Sequence, residues 1–378
     1  MRILLAGGGS GGHVTPLQAI SESLKQQSDK SLSITVITDR GFYSASKTIF
    51  ADNADIRLKK IFSGKYRRYK SKSFLWHIYH LPTLVKNIRD VFLLGIGILQ
   101  SLGYFLLHKP DVVFCKGGFV CIPIGIAAKV YKVPLIIHDS DTRPGLTNRI
   151  LARWATKIGT GMPTSFYPYP QALMVHIGIP VQAGYEPMTI AQQQNYKTSL
   201  GLAATRPLLL LTGGGNGATS LNKQFIRIAP ALLEEGWSII QLAGRGKTAE
   251  SRRVRKTLPG VAQAQWQIEE FAAMQPRLLA ADIVISRTSA STLQECANAR
   301  KPVIGIASTH LDDQKMNAKY FASKKAIISL DEASIEDGKT DITEVINRLR
   351  NQPESADLLA RNLYSHFAKP AAANELAQ

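Results

Sequence analysis

Short apolar runs alternate with segments of helical period along the whole chain. One set of runs lies at Ile3–Ala6, Ile34–Thr38, Ile56–Ile61, Val112–Cys115, Leu135–His138 and Lys157–Gly159. A second lies at Leu208–Thr212, Ser238–Ala243, Ala264–Ile268, Ile283–Ser286, Val303–Ile306 and Ala326–Ser329. Helical or loop segments separate nearly all of them, which predicts parallel sheets with right-handed crossovers. The pattern restarts: each half opens with a strand, a glycine-rich turn and a helix. Between the halves, Pro180–Pro187 is bracketed by prolines and reads as a linker. The expected fold is α/β, two doubly wound Rossmann-like domains facing across a cleft. The expected bounds are 1–183 and 184–378, with the last helix packing back on the first domain. Residues 342–369 read as helical and the Pro-Ala-Ala-Ala tail after them as disordered.

The stretch from Ser63 to His108 departs from this rhythm. Its apolar run, Val91–Leu107, covers 17 residues and is interrupted by Gln100, Ser101 and three glycines. A spanning helix needs about 20 apolar residues, so the run reads as a buried crossover helix. Ahead of it lies a basic run with interleaved aromatics, carrying Lys65, Arg67, Arg68, Lys70 and Lys72. Each such cation gains about 1 kcal/mol at an anionic leaflet. Peripheral contact with an anionic membrane surface is the functional reading, and a solvated basic face the plain one.

Composition sharpens that choice. The 378 residues suit two domains, and the net charge of +18 calls for a polyanionic partner. No RNA-binding signature, zinc finger or basic zipper is present, so nucleic acid is not expected and membrane or phosphate is. The three cysteines (Cys115, Cys121, Cys296) lack metal-ligand spacing and read as reduced, buried thiols. The first residues carry no secretory signal pattern.

Candidate chemistry gathers where strands end. The first glycine loop runs Gly7-Gly-Gly-Ser-Gly-Gly-His13 and opens a helix. Gly7, Gly9 and Gly12 fit a dinucleotide fingerprint, with Asp39 placed as a ribose acid, so an NAD(P) dehydrogenase stays open. His13, Lys116, Asp139, Asp141 and Asn148 all follow predicted strands and should converge, because ligands bind at strand carboxyl ends in open parallel sheets. Two carboxylates beside a histidine can supply a general base; loop capping is the alternative for each. In the second half, Gly213-Gly-Gly-Asn-Gly-Ala218 and Gly244-Arg-Gly246 suit a diphosphate at a helix N-terminus. Glu295, early in a helix, could accept both hydroxyls of a ribose. Arg287 reads either as a phosphate contact or as a packing charge.

Taken in order, these motifs resemble the bacterial peptidoglycan N-acetylglucosaminyltransferases that complete lipid II, of the glycosyltransferase-B superfamily. The resemblance runs from Gly8-Gly-Ser-Gly-Gly-His13 to Gln314-x-x-Asn317-Ala318. Its further anchors include Gly117-Gly118, His138-Asp139, Gly145-Leu-Thr-Asn148 and Ala281-Asp282 through Arg287 to Glu295. It implies inverting transfer of N-acetylglucosamine from its UDP donor to the C4 hydroxyl of a muramoyl sugar on undecaprenyl diphosphate. The enzyme would sit peripherally on the cytoplasmic face of the plasma membrane. No metal or redox cofactor is implied.

By the same resemblance His13, Asp141 and Asp139 are the catalytic candidates, with Asn148 and Lys116 on the acceptor side. Glu295 would take the ribose and Gln314 the donor sugar. Ala272, Ala290, Ser291, Thr292, Leu293 and Gln294 would line the nucleotide pocket. Ser10, Gly11, Gly12, Gln182 and Gly215 would complete the donor contacts, the first three also facing the acceptor. The chain departs from the family at Asp139 and Asp141, at Phe119, at Gln182 (usually a phosphate-binding arginine) and at Gly215 (usually serine). A UDP-sugar isomerase on the same fold, a related lipid glycosyltransferase with another donor or acceptor, and a non-catalytic nucleotide-sugar binder are the alternatives.

Overall fold

A computed structural model describes residues 1–28, 31–65, 80–214 and 217–378. They form two compact units. One comprises Met1–Ser140, Pro144–Pro180 and Ala373–Gln378; the other comprises Asp141–Arg143 and Val181–Ala372.

The first unit is built on strands β1 (Arg2–Gly7), β2 (Ser33–Asp39), β3 (Arg57–Ile61), β4 (Val112–Gly117), β5 (Leu135–Asp139), β6 (Lys157–Thr160) and β7 (Met174–His176). They pair in parallel in the order β3-β2-β1-β4-β5-β6-β7. Helices on the sheet faces bury Leu4, Leu5 and Ala6 of central β1, so a continuous apolar run is what that strand requires. Val14, Leu17 and Ile20 of the Gly11–Gln27 helix pack on Ile3, Leu5, Val36 and Phe114.

The second unit holds β8 (Leu208–Thr212), β9 (Ser238–Leu242), β10 (Trp266–Glu269), β11 (Ile283–Arg287), β12 (Val303–Ala307) and β13 (Ile328–Asp331). Their parallel order is β10-β9-β8-β11-β12-β13. Every residue of β8, β9, β11 and β12 is buried. Trp237, Trp266 and Phe225 fill the core with Ile285, Ile304 and Ile346. In both units the strand order reverses beside the first strand, which opens a crevice at the carboxyl ends there.

Four expectations need correcting. Strand β7 has no counterpart among the apolar runs; it is an edge strand of three residues, too short to show a pattern. Ala264 ends a short helix, Gly260–Ala264, and the strand begins at Trp266. The alanine tail is ordered: Ala372–Ala377 is helical, Leu376 joins the core of the first unit, and Gln27 Nε2 donates to the Asn374 carbonyl at 3.2 Å.

The fourth concerns the Val91–Leu107 run. It belongs to a 28-residue helix, Leu81–His108, and the most apolar 18-residue window of that helix is only 17% buried. Its polarity is inverted. The buried stripe is Thr83, Asp90, Gly97, Ser101 and Phe105. The opposite, exposed stripe is Leu81, Val85, Ile88, Phe92, Ile96, Leu99 and Leu106. The inward polar groups are matched: Asp90 accepts from Arg89 and from the Lys65 amide at 3.2 Å, and Ser101 Oγ donates to the Gly97 carbonyl at 2.8 Å. Gly97 sets the docking distance, since a Cβ there would lie 2.0 Å from the Phe62 carbonyl oxygen. Gly97→Val should therefore force the helix outward and cost about 1–3 kcal/mol, read as a lower urea midpoint; an unchanged midpoint would show that the contact is not tight.

Candidate active site

At the carboxyl end of β1 the chain turns through Gly7–Gly9 into its first helix. The Gly8 amide donates to the Gly117 carbonyl at 3.3 Å. His13 Nδ1 lies 2.7 Å from the Gly8 carbonyl oxygen. A carbonyl can only accept, so Nδ1 carries the hydrogen, and in the neutral ring Nε2 keeps its lone pair. Ser10 Oγ stands 3.4 Å from the same Nδ1, and Gly11 and Gly12 form the helix start. The half-buried imidazole thus presents a basic nitrogen beside Gly117, at the end of β4.

Asp39 does not serve as a ribose acid. Its Oδ2 accepts from the Gly9 amide at 2.6 Å and its Oδ1 from the Phe42 amide at 3.1 Å. The glycine loop's own N–H is met by an internal carboxylate, and the dinucleotide pattern loses its acid.

The other expected residues of this unit are engaged locally. Asp139 accepts from Tyr169 OH at 2.6 Å and from the Gly145 amide at 3.3 Å. Burial, with the Asp139 charge next, pushes the Tyr169 hydroxyl far up, so it stays a donor. Asn148 Nδ2 donates to the His138 carbonyl at 2.8 Å. Buried Lys116 donates to Ser140 Oγ. His138 donates through Nε2 to the Gly178 carbonyl at 2.7 Å; burial, then the Lys116 charge, lowers its pKa and keeps it neutral. These contacts shape the end of β5 rather than display acids to solvent. Asp141 clusters with the second unit, where it accepts from Asn317 Nδ2 at 2.9 Å.

In the second unit β8 ends at Thr212, whose Oγ1 accepts from the Gly214 amide at 3.2 Å. Gly215 lies outside the described residues, as do Arg67, Arg68, Lys70 and Lys72 of the basic run. After β11 the chain places Ser289 before the Ala290–Asn298 helix, with Ser289 Oγ donating to Thr292 Oγ1 at 3.0 Å. Ser291 and Glu295, four residues apart, share the half-buried face. Ala290 and Leu293 are buried. Gln294 points into the core, donating to the Phe367 carbonyl at 2.7 Å and to Asn298 Oδ1 at 3.0 Å. It anchors the end of the helix Pro353–Phe367 and points away from the half-buried face, where a nucleotide pocket was expected to include it. Ala272 is half-buried beyond β10, and Gln182 is exposed.

Glu295 carries the decisive electrostatics. Burial pushes its carboxyl up to about 7. Beside it, burial and then the Glu295 charge raise the Tyr185 hydroxyl. Sequence reasoning overlooked Tyr185, which sits in the linker and has no local signal. Gln314, whose carbonyl accepts from Thr288 Oγ1 at 2.8 Å, has a buried Oε1 without a partner among the described residues. A carboxylate and an amide oxygen, both acceptors, stand ready for hydroxyl donors.

Arg287 is a packing charge. Its guanidinium donates to Ser220 Oγ at 2.8 Å and to the Glu332 carboxylate. Burial alone would raise Glu332, but Arg287, Ser220 and the Thr309 amide more than offset it and hold the carboxyl below its usual range.

Comparison with known proteins fits this geometry. The glycosyltransferase family 28 N-terminal domain matches residues 3–160, and the family 28 C-terminal domain matches residues 208–375. A UDP-N-acetylglucosamine–N-acetylmuramyl-(pentapeptide) pyrophosphoryl-undecaprenol N-acetylglucosamine transferase from Lachnospira eligens is 32% identical over 323 residues, covering 85% of this chain and 83% of that one. This chain belongs to glycosyltransferase family 28. The fold is shared more widely than the family. The crystal structure of MurG from Acinetobacter baumannii superposes with a TM-score of 0.65 at 21% identity, covering 100% of this chain and 97% of that one. A UDP-GlcNAc 2-epimerase from Neisseria meningitidis gives 0.64 at 14% identity, covering 100% and 98%. Fold likeness therefore does not separate transferase from epimerase; the family match does.

The raised Glu295 carboxyl makes a stability prediction for the ligand-free enzyme. A folded pKa of about 7, above the usual carboxylate value of 4.5, adds stability at low pH that is lost as pH rises through 7. Glu295→Gln should therefore melt higher than wild type at pH 8 and lose that advantage by pH 5. Thermal melts across that range check it; a gap independent of pH would contradict a carboxyl raised by desolvation.

Proposed function

We propose that this enzyme transfers N-acetylglucosamine from UDP-N-acetylglucosamine to the muramoyl C4 hydroxyl of undecaprenyl-diphospho-muramoylpentapeptide, with inversion. The observation that carries this reading is the 32% identity over most of the chain to a transferase named for that donor and acceptor. The geometry supports it: Glu295 and Gln314 offer acceptors for the ribose and sugar hydroxyls, and His13 offers a basic nitrogen.

In the step, the acceptor oxygen attacks the anomeric carbon while the bond from that carbon to the β-phosphate oxygen breaks. The electron pair leaves with UDP, and the hydroxyl proton passes to His13 Nε2. As the ring becomes an imidazolium, its Nδ1–H bond to the Gly8 carbonyl strengthens. Asp139, held by Tyr169 and Gly145, and Asn148, held on the His138 carbonyl, keep the β5 end in shape. Asp141 is a second candidate base. The reading calls for no metal or redox cofactor. An epimerase would need no sugar acceptor, so dependence of UDP release on the lipid decides between the two.

The inverted helix supports a membrane location. A stripe of seven large apolar side chains facing water along Leu81–His108 is an interaction surface. Fatty acyl chains suit it, and Lys65, Lys86 and Arg89 nearby in the chain suit anionic headgroups. The helix would lie in the plane of the cytoplasmic leaflet, the exposed stripe inward, bringing the enzyme to an acceptor anchored there.

Two measurements test these readings. UDP release from UDP-N-acetylglucosamine should require the lipid acceptor, and His13→Ala should lower kcat by about 10²–10⁴-fold with a smaller change in donor KM; wild-type turnover in that variant would remove His13 from the chemistry. Replacing Phe92, Leu99 and Leu106 with serine should weaken sedimentation with phosphatidylglycerol vesicles without lowering the urea midpoint. Undiminished sedimentation would show that the stripe does not meet lipid.

A further inference from the structure

Asp141–Arg143, just after β5, belong to the second unit. Their buried anchor there is one side chain. Asn317, in the helix Asp312–Ser323, has no exposed surface. Its Oδ1 accepts from the Thr142 amide and from Thr142 Oγ1, each at 3.0 Å. Its Nδ2 donates to the Thr288 carbonyl at 3.0 Å and to Asp141 Oδ1 at 2.9 Å. Arg143 adds an ion pair with Asp312 at 3.1 Å, but that pair is exposed and solvent weakens it.

The partners fix which way the amide points. The Thr142 amide can only donate and the Thr288 carbonyl can only accept, so a flipped Asn317 would set like against like at both. Both hydrogens and both lone pairs of the amide are therefore used, and Asp141 Oδ1 is fixed as an acceptor. The same group reaches the expected donor-sugar contact. Thr288, whose carbonyl Asn317 holds, donates through Oγ1 to the Gln314 carbonyl at 2.8 Å. Gln314 lies one turn before Asn317 in the helix, and its buried Oε1 has no partner among the described residues. One amide thus ties the acid at 141, the residue after β11 and the Gln314 turn into a single piece.

We propose that Asn317 is a positioning residue for the transfer: its amide holds Asp141 in register with Gln314, so that the acid and the donor-sugar contact keep one geometry through the reaction. The inference rests on the transferase reading above and adds to it a residue outside the substrate contacts. Asn317 is buried and fully bonded, so it acts only through these neighbours.

The test uses Asn317→Asp and Asn317→Ala in the full chain. Asn317→Asp keeps the shape and the Thr142 bonds, but sets an oxygen against the Thr288 carbonyl and the Asp141 carboxylate. UDP has no sugar to meet Gln314, so its affinity, measured by calorimetry, reports the nucleotide site alone. Both variants should lower kcat about 10²-fold, as a displacement of about 1 Å can, while UDP affinity moves less than about threefold. In an Asp141→Ala background, which removes the acceptor, Asn317→Ala should cost less. The urea midpoint identifies a variant that does not fold, and the other then decides. Unchanged kcat would overturn the assignment. So would a parallel fall in kcat and UDP affinity, the mark of a loosened fold, and so would an equal cost of Asn317→Ala with and without Asp141. A wild-type enzyme that releases no UDP in the presence of the lipid acceptor would instead sink the transferase reading itself.

Discussion

The structure depends on backbone touching backbone at the carboxyl ends of its central strands. In the first unit a Cβ on Gly118 would sit 2.3 Å from the Gly8 carbonyl oxygen; in the second, one on Gly217 would sit 2.2 Å from that of Ala243. No side chain fits in either place, and both glycines have positive φ, at 86° and 64°. The contacts bring the loop after the first strand of each unit against the loop of a neighbouring strand. Short tethers to these loops then fix two side chains: His13 by the Gly8 carbonyl, Lys247 by the Gly217 carbonyl. Both are positioned by main-chain oxygens, which do not vary with rotamer.

Buried charge is the second constraint, and the carboxylates sort by how it is met. Asp39 is bound by two amides, Asp139 by an amide and a phenol, Glu332 by a guanidinium, a hydroxyl and an amide. Each is satisfied by the protein and behaves as structure. Glu295 differs: burial shifts it, no compensating donor is found among the described residues, and its carboxyl rises to about 7. A protein tolerates such a group where a ligand brings the missing donors. The Leu81–His108 helix follows the same logic with the sign reversed. Its polar groups are satisfied inward and its apolar groups are left facing out, a distribution that water disfavours and an acyl layer rewards.

Much of the fold was legible because parallel strands buried on both faces must be continuous apolar runs, and Leu208-Leu-Leu-Leu-Thr212 is such a run. What failed to show was set by partners distant in sequence. Residues 174–176 form a strand only because β6 lies alongside. The alanine tail is helical because it meets the Gly11–Gln27 helix through Ser23 and Gln27. In the site, Glu295 stood out by residue type and spacing. Gln294, its neighbour, could not be told apart from it by sequence, because one helical step of 100° turns it from the crevice to the core. Arg287 needed Glu332, 45 residues on, before its role as a packing charge emerged. Lys247 gave no signal because its contact, with Gly217, lies 30 residues away.

The two glycine loops look interchangeable in sequence, yet their electrostatics are opposite. At the first, the Asp39 carboxylate already occupies the Gly9 amide, and the nearest functional group is an imidazole with a basic lone pair. Negative charge is built in, so a further anion is disfavoured there while a proton leaving a hydroxyl is welcome. At the second, among the described residues no carboxylate caps the loop and no side chain caps the helix Thr219–Glu234, and the Lys247 ammonium donates to the Gly217 carbonyl at 3.1 Å. The helix dipole and the ammonium make the potential there positive. The same strand–glycine–helix module thus carries a carboxylate at its loop in one unit, Asp39, and an ammonium in the other, Lys247.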